Sequence, residues 1–226
     1  MSRLDSPVHL AKVYRADCLL YAVCLGACMT LPDTREKLLC AAGDAFAEQG
    51  YRCCVDEIAR RAGVAKQTLY HHFSGKDELF AEVIQRMAGE ILVALGPVGE
   101  RPVRESLLRF AQAYRSKALG QDGLAMHRVL VAEAPRLPEL VHRVFIAGTG
   151  ETARRLQALL AHGMASGQLR QDDPLFAADM LLSMLAGMER SRRLMASAQP
   201  DDDAPERVAQ IVDCFLRAFA PAPIPQ

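Results

Sequence analysis

Lys66, Gln67, Thr68, Tyr70 and His71 stand almost side by side in the sequence. Their side chains share one chemistry, hydrogen bonding at an exposed edge. Lysine donates to phosphate or guanine, glutamine can pair with adenine through two bonds, and threonine offers a hydroxyl and a methyl to a base edge. Tyr70 and His71, one turn further on, suit phosphate oxygens, which fix register without reading sequence. Between Ile58 and Lys76 lie four basic side chains (Arg60, Arg61, Lys66, Lys76), two histidines and no carboxylate, so this edge can approach a polyanion without repulsion. With Arg52 upstream, the candidate DNA contacts are Arg52, Lys66, Gln67, Thr68, Tyr70, His71 and Lys76.

Two short helices must position these groups. Val55, Ile58, Ala59 and Ala62 fall on one face at a 3.6-residue period. Gly63 ends that helix, because a glycine can take the left-handed conformation that turns the chain, and small Ala59 and Ala62 let the next helix cross closely. The second helix starts near Lys66 and keeps Leu69 and Phe73, four apart, on its buried side. This is helix-turn-helix spacing, in which the second helix enters the major groove by its N-terminal residues.

Residues 34 to 80, centred on GYRCCVDEIARRAGVAKQTLYHHFSGKDELF, resemble the DNA-binding domain of the tetracycline-repressor (TetR) family. The resemblance is carried by Gly50-Tyr51, Val55 to Ala59, Ala62 to Val64, Thr68 to Tyr70 and Phe73. It implies an all-α, nine-helix architecture in which a first helix (about Asp33 to Gln49) supports the helix-turn-helix and a fourth begins at Lys76. Cys54 and Ala65 depart from the family's usual Ser or Thr caps, and Gln67 replaces a small residue, which leaves the operator sequence open.

The chain has 226 residues, half of them hydrophobic and 6% aromatic, and a formal net charge of zero. From Asp33 to Leu95 there are eight basic and ten acidic residues, so attraction to DNA must come from a local patch with the acids on the far side of the helices. Seven cysteines without a Cys-x-x-Cys pair do not make a disulfide or zinc framework. Cys53-Cys54 is a candidate redox pair, and packing is the plainer role. No acid-base, nucleophile or His-Glu-x-x-His arrangement occurs, so neither catalytic residues nor a metal or cofactor is expected. Residues 1–30 read as an extension: Arg3, Lys12 and Arg15 precede an apolar run from Cys18 to Met29 that is too short to span a bilayer. Met29 is a plausible natural start, with Asp33 and Glu36 spaced to cap the first helix.

Beyond a DNA-reading domain at 31–78, residues 79–220 read as a ligand-binding and dimerisation domain with a tail at 221–226. Helices are expected over Lys76 to Leu95, Val103 to Ala118, Leu124 to Glu133, Pro138 to Ser166, Leu175 to Met195 and Pro205 to Phe219, with Asp172-Asp173-Pro174 as a strong start. Leu175 to Met188 is apolar almost all round and must be buried on two faces. Leu175, Leu181, Leu185 and Met188, with Val208, Ile211, Phe215 and Phe219, are therefore the expected homodimer interface. A small apolar ligand is expected among Met87, Ile91, Phe110, Tyr114, Met126, His127, Leu130, Val144, Phe145, Met180 and Met184. The reading is a cytoplasmic, homodimeric transcriptional regulator, a ligand-released repressor of efflux- or metabolism-related genes, that binds a double-stranded DNA operator, with no membrane partner. A helical adaptor that binds protein, and least of all an enzyme, are the alternatives.

Overall fold

The computed structural model describes residues 33–196 and 206–221, and among them every regular element is helical. α1 (Thr34–Gln49), a 3-10 turn (Gly50–Arg52), α2 (Val55–Arg61) and α3 (Lys66–His72) form a head. α4 (Lys76–Leu95) leads out of it into α5 (Val103–Leu119), α6 (Gln121–Glu133), α7 (Pro138–Phe145), α8 (Glu151–Ala165), α9 (Pro174–Leu194) and α10 (Glu206–Ala218). A π turn (Ile146–Gly150) joins α7 to α8 as one rod, and with that rod counted once the described residues contain the nine expected helices. The apolar run from Cys18 to Met29 and the proposed start at Met29 lie outside the described residues.

Local chemistry accounts for the helix ends. Asp173 caps α9 by accepting from the Leu175 N–H at 2.9 Å, with Pro174 in the first turn. Gly96, at φ 69°, closes α4 and donates to Leu92 O. The capping pair expected at α1 does not form: Asp33 makes no side-chain cap bond, and Glu36 pairs with Arg86 of α4 at 3.2 Å. An ion pair to a neighbouring helix outcompetes the local bond.

Packing divides the chain differently from its sequence. Phe46, Ile58, Leu69 and Phe73 of the head share one apolar core with Leu79, Phe80, Val83 and Ile84 of α4, but also with Met126 and Val129 of α6 and Leu140 and Val144 of α7. The second core takes Ile91 and Leu95 from the far half of α4 and joins them to α5, α8, α9 and α10. α4 thus belongs to both. The π turn rests on the first half of α4, where a Cβ added at Gly148 would lie 2.7 Å from Ile84 Cγ2.

The two-sided apolar character of α9 has an internal cause. Leu181, Leu185 and Phe215 are fully buried and Phe219 nearly so within a single chain, packed among α5, α8, α9 and α10. These four have no surface to offer a second copy, which corrects their assignment to a dimer interface. Val208 and Ile211 are partly buried against the same core, whereas Leu175 (49% exposed) and Met188 (72%) face outward, as does Phe176.

Candidate nucleic-acid interface

The turn between α2 and α3 is a Schellman closure. Val64 N–H donates to Ala59 O at 3.0 Å and Gly63 N–H to Arg60 O at 3.2 Å, with Gly63 at φ 69°. Cys54 and Ala65 supply no side-chain cap bond, as their chemistry dictates, so α2 and α3 rest on Ile58, Leu69 and Phe73 buried beneath them. With Leu69 fully buried, the opposite side of α3 is set outward: Lys66, Gln67, Tyr70 and His71 are exposed and Thr68 is half-buried. Arg52 is exposed on the adjoining 3-10 turn.

Carboxylates hold the basic side chains of this face at its margins. Glu57 accepts from both Arg60 and Arg61 at 2.8 Å, and Arg61 also reaches Glu48 of α1. The hydrogen bonds from Arg60 and then Arg61 hold the Glu57 carboxyl down at about 2. Lys66 pairs with Asp56 at 2.8 Å across the turn, and that bond holds Asp56 below its ordinary range. Asp56 is itself exposed, so the acids do not all sit on the far side of the helices as the charge count suggested. Lys76 is half-buried, with Nζ 4.3 Å from the centre of the Tyr51 ring. The Tyr51 hydroxyl donates to Asp77, and burial first, then this bond, pushes its pKa upward. Together these contacts tie α4 to the head.

The bonds from Arg60 and Arg61 to Glu57 follow i,i+3 and i,i+4 spacing within one helix. The bridges Asp56–Lys66, Arg61–Glu48 and Tyr51–Asp77 join separate elements and carry no sequence signal. Cys53 is buried, and burial raises its thiol pKa, while exposed Cys54 donates to Asp56 at 3.7 Å. A buried thiol held in its protonated form is a poor redox partner.

The eleven expected ligand contacts do not converge. Ile91, Phe110, Tyr114, Met180 and Met184 belong to the second core, whereas Met87, Met126, Leu130 and Val144 pack with the first. Phe145, 49% exposed beside the π turn, points away from both, and His127 is half-buried. The physical reason is that α6 packs against α1 of the head, and α7 against α6 and the first half of α4. Met87 and Met126 do help line a cleft of about 1090 Å³ at the seam between α1, α2, α4 and the α5–α6 turn, among charged Lys37, Glu48, Arg60 and Lys117.

Known proteins share both halves of this arrangement. Residues 38–83 match the family model described as "Bacterial regulatory proteins, tetR family", and residues 105–221, more than half of the chain, match "AefR-like transcriptional repressor, C-terminal domain". Over 55 residues the chain is 51% identical to the HTH-type transcriptional activator FasR of Mycolicibacterium smegmatis, covering 24% of this chain and 25% of FasR. It is 27% identical over 130 residues to the HTH-type transcriptional regulator SrpR of Pseudomonas putida, covering 50% of this chain and 59% of SrpR. The chain therefore spans less than two thirds of the length of either relative. Among solved structures, the Flavonoid-responsive Regulator FrrA superposes with a TM-score of 0.65 at 29% identity, over 84% of this chain and 98% of that one.

Proposed function

The chain belongs to the tetR family of bacterial regulatory proteins, DNA-binding transcriptional regulators rather than enzymes, and on that footing we propose that it is a homodimeric repressor released from its operator by a small, largely apolar molecule. The observation that carries this reading is the outer face of α3, where Gln67, Tyr70 and His71 are exposed above the fully buried Leu69. In it, Gln67 and Thr68 read base edges, while Arg52, Tyr70, His71 and Lys76 hold phosphates. Lys66 exchanges Asp56 for DNA. The description of the C-terminal match as a repressor domain favours repression, although FasR is named an activator.

Release follows from α4, which is built into both cores. Two heads must enter successive major grooves about 34–36 Å apart, so a ligand that tilts α4 in each subunit spoils simultaneous docking. The second copy packs on the outward face of α9, around Leu175, Phe176 and Met188. Among the described residues no helix is long and apolar enough to cross a membrane. Action on DNA supports a cytoplasmic location.

A mobility shift with the DNA upstream of the gene tests the reading. Gln67→Ala is expected to cost about 1–3 kcal/mol at one operator position and relax preference there, whereas Lys76→Ala weakens binding to all sequences alike. Phe176→Asp with Met188→Lys should give monomers that hold half-operators only. Retardation without sequence preference would sink the regulator reading in favour of the adaptor, and an intact dimer in the double variant would move the interface off α9.

A further inference from the structure

The C-terminal bundle contains a charged node whose members are unequally satisfied. Arg115 of α5 and Arg193 of α9 both donate to the Glu189 carboxylate, at 2.7 and 2.9 Å, and Arg115 Nη1 also donates to Leu185 O at 2.7 Å. Arg190, next in sequence to Glu189, has no share in that carboxylate. Its Nη2 donates to the Tyr114 hydroxyl at 3.2 Å, and its buried Nε has no hydrogen-bond partner among the described residues. A guanidinium stays protonated at any physiological pH, so a buried N–H without an acceptor is a standing cost of this arrangement.

The surroundings narrow what could satisfy it. Tyr114 is 7% exposed, its ring stacked on Phe110 with centroids 5.6 Å apart. Because its oxygen accepts from Arg190, its own O–H remains able to donate. His127 of α6 is half-buried, and burial, then the charge of Arg190, lowers its pKa. Donors therefore gather where α5, α6 and α9 meet beside an apolar core that partly buries Met180 and Met184. A neutral alcohol or amide could fill one hydrogen bond and would leave the charge uncompensated. A carboxylate brings two acceptor oxygens and the missing negative charge.

We propose that Arg190 and Tyr114, with His127 beside them, form the recognition site for the carboxylate of an amphipathic organic acid whose apolar part lies along α5 and α9. The assignment rests on the reading of the chain as a ligand-released regulator and names the chemical class of its ligand. It also divides the expected pocket: Tyr114, His127, Met180 and Met184 stay with the ligand, and Met87, Met126, Leu130 and Val144 do not.

Calorimetry of the full chain with decanoate, 4-phenylbutyrate and cinnamate, each beside its methyl ester, tests the site, with operator release read in parallel by fluorescence anisotropy. At least one acid should bind about tenfold or more tightly than its ester, in keeping with a charge-assisted bond, and should release DNA. Arg190→Gln and Tyr114→Phe should lose that preference while binding the operator as the wild type does. If Arg190→Gln fails to fold, Tyr114→Phe, which removes one oxygen, decides. Acids that bind no better than esters, acids that do not bind at all, or variants that keep the preference would overturn the proposal. So would an Arg190→Gln protein that falls to monomers with acid binding intact, since Nε would then serve the subunit contact. A wild-type chain that never holds DNA would instead end the regulator reading, leaving the acid preference to be judged by calorimetry alone.

Discussion

In the head, cationic side chains stand at the surface and lean on carboxylates of neighbouring turns: the Arg60 side chain is 73% exposed and Lys66 53%. In the C-terminal bundle the corresponding pair, Arg115 and Glu189, is only 9% exposed. Water competes for every bond in the first set and for hardly any in the second. Exposed pairs contribute little to stability and can be traded for phosphate when DNA arrives. An enclosed pair resists dissolution because each charge would be left in a medium that cannot solvate it. The same ionic chemistry is thus a reversible latch in one region and a fixed internal strut in the other.

The largest expected effect breaks the strut. Glu189→Ala takes away the carboxylate shared by Arg115 and Arg193 and should lower the unfolding free energy by about 3–5 kcal/mol, read by urea denaturation. A loss below about 1 kcal/mol would erase the contrast between the two regions. Next is the hinge of the head. Gly63→Ala forces a side chain into a left-handed backbone, and with no atom within 4 Å of the added Cβ the cost is conformational alone, about 1–2 kcal/mol. Operator affinity should fall as well, because the tilt of α3 depends on this turn, and unchanged affinity would show that α3 is positioned from beneath by Leu69 and Phe73.

The smallest effect concerns Glu57. Its folded pKa, about 2 against an ordinary 4.5, lies below the unfolded value, so its contribution is fully present above pH 4.5 and disappears as pH falls towards 2. Glu57→Gln should therefore lower stability slightly above pH 4.5, by an amount that fades as pH falls towards 2, so that its acid limb is flatter than that of the wild type. Salt should shrink the difference. An identical acid limb in the variant would show that the Arg60 and Arg61 bonds are not populated in solution.

Much of this was legible from spacing. Leu69 and Phe73, four apart, set which side of α3 faces out, Gly63 marked the turn, and Asp173-Pro174 marked the start of α9. Periodicity, however, reports that a residue is buried and not by what. Leu181, Leu185, Phe215 and Phe219 read as an interface because two apolar faces seemed to need two proteins, whereas α5, α8 and α10 of the same chain cover them. Phe145 was misplaced for another reason: it stands about 100° around α7 from Val144, so with Val144 fully buried it is turned outward. Lys66 has the residue type of a free donor, and only the crossing of α2 and α3 brings Asp56 to it.

That π turn also governs which changes of length the chain can absorb. Each residue advances a helix by about 100°, so the additional residue in Ile146–Gly150 sets the azimuth at which α8 presents Leu156, Leu159 and Leu160 to the second core. Deleting Gly150 would let α7 run smoothly into α8 and rotate that row away from its partners, although every residue in the row is unaltered. A deletion of the same size in the mostly exposed loop between Gly96 and Pro102 leaves the phase within α4 and within α5 unaltered. Two gaps that look alike in an alignment would be opposite events, one a change of loop length and the other a phase error carried through the fifteen residues of α8.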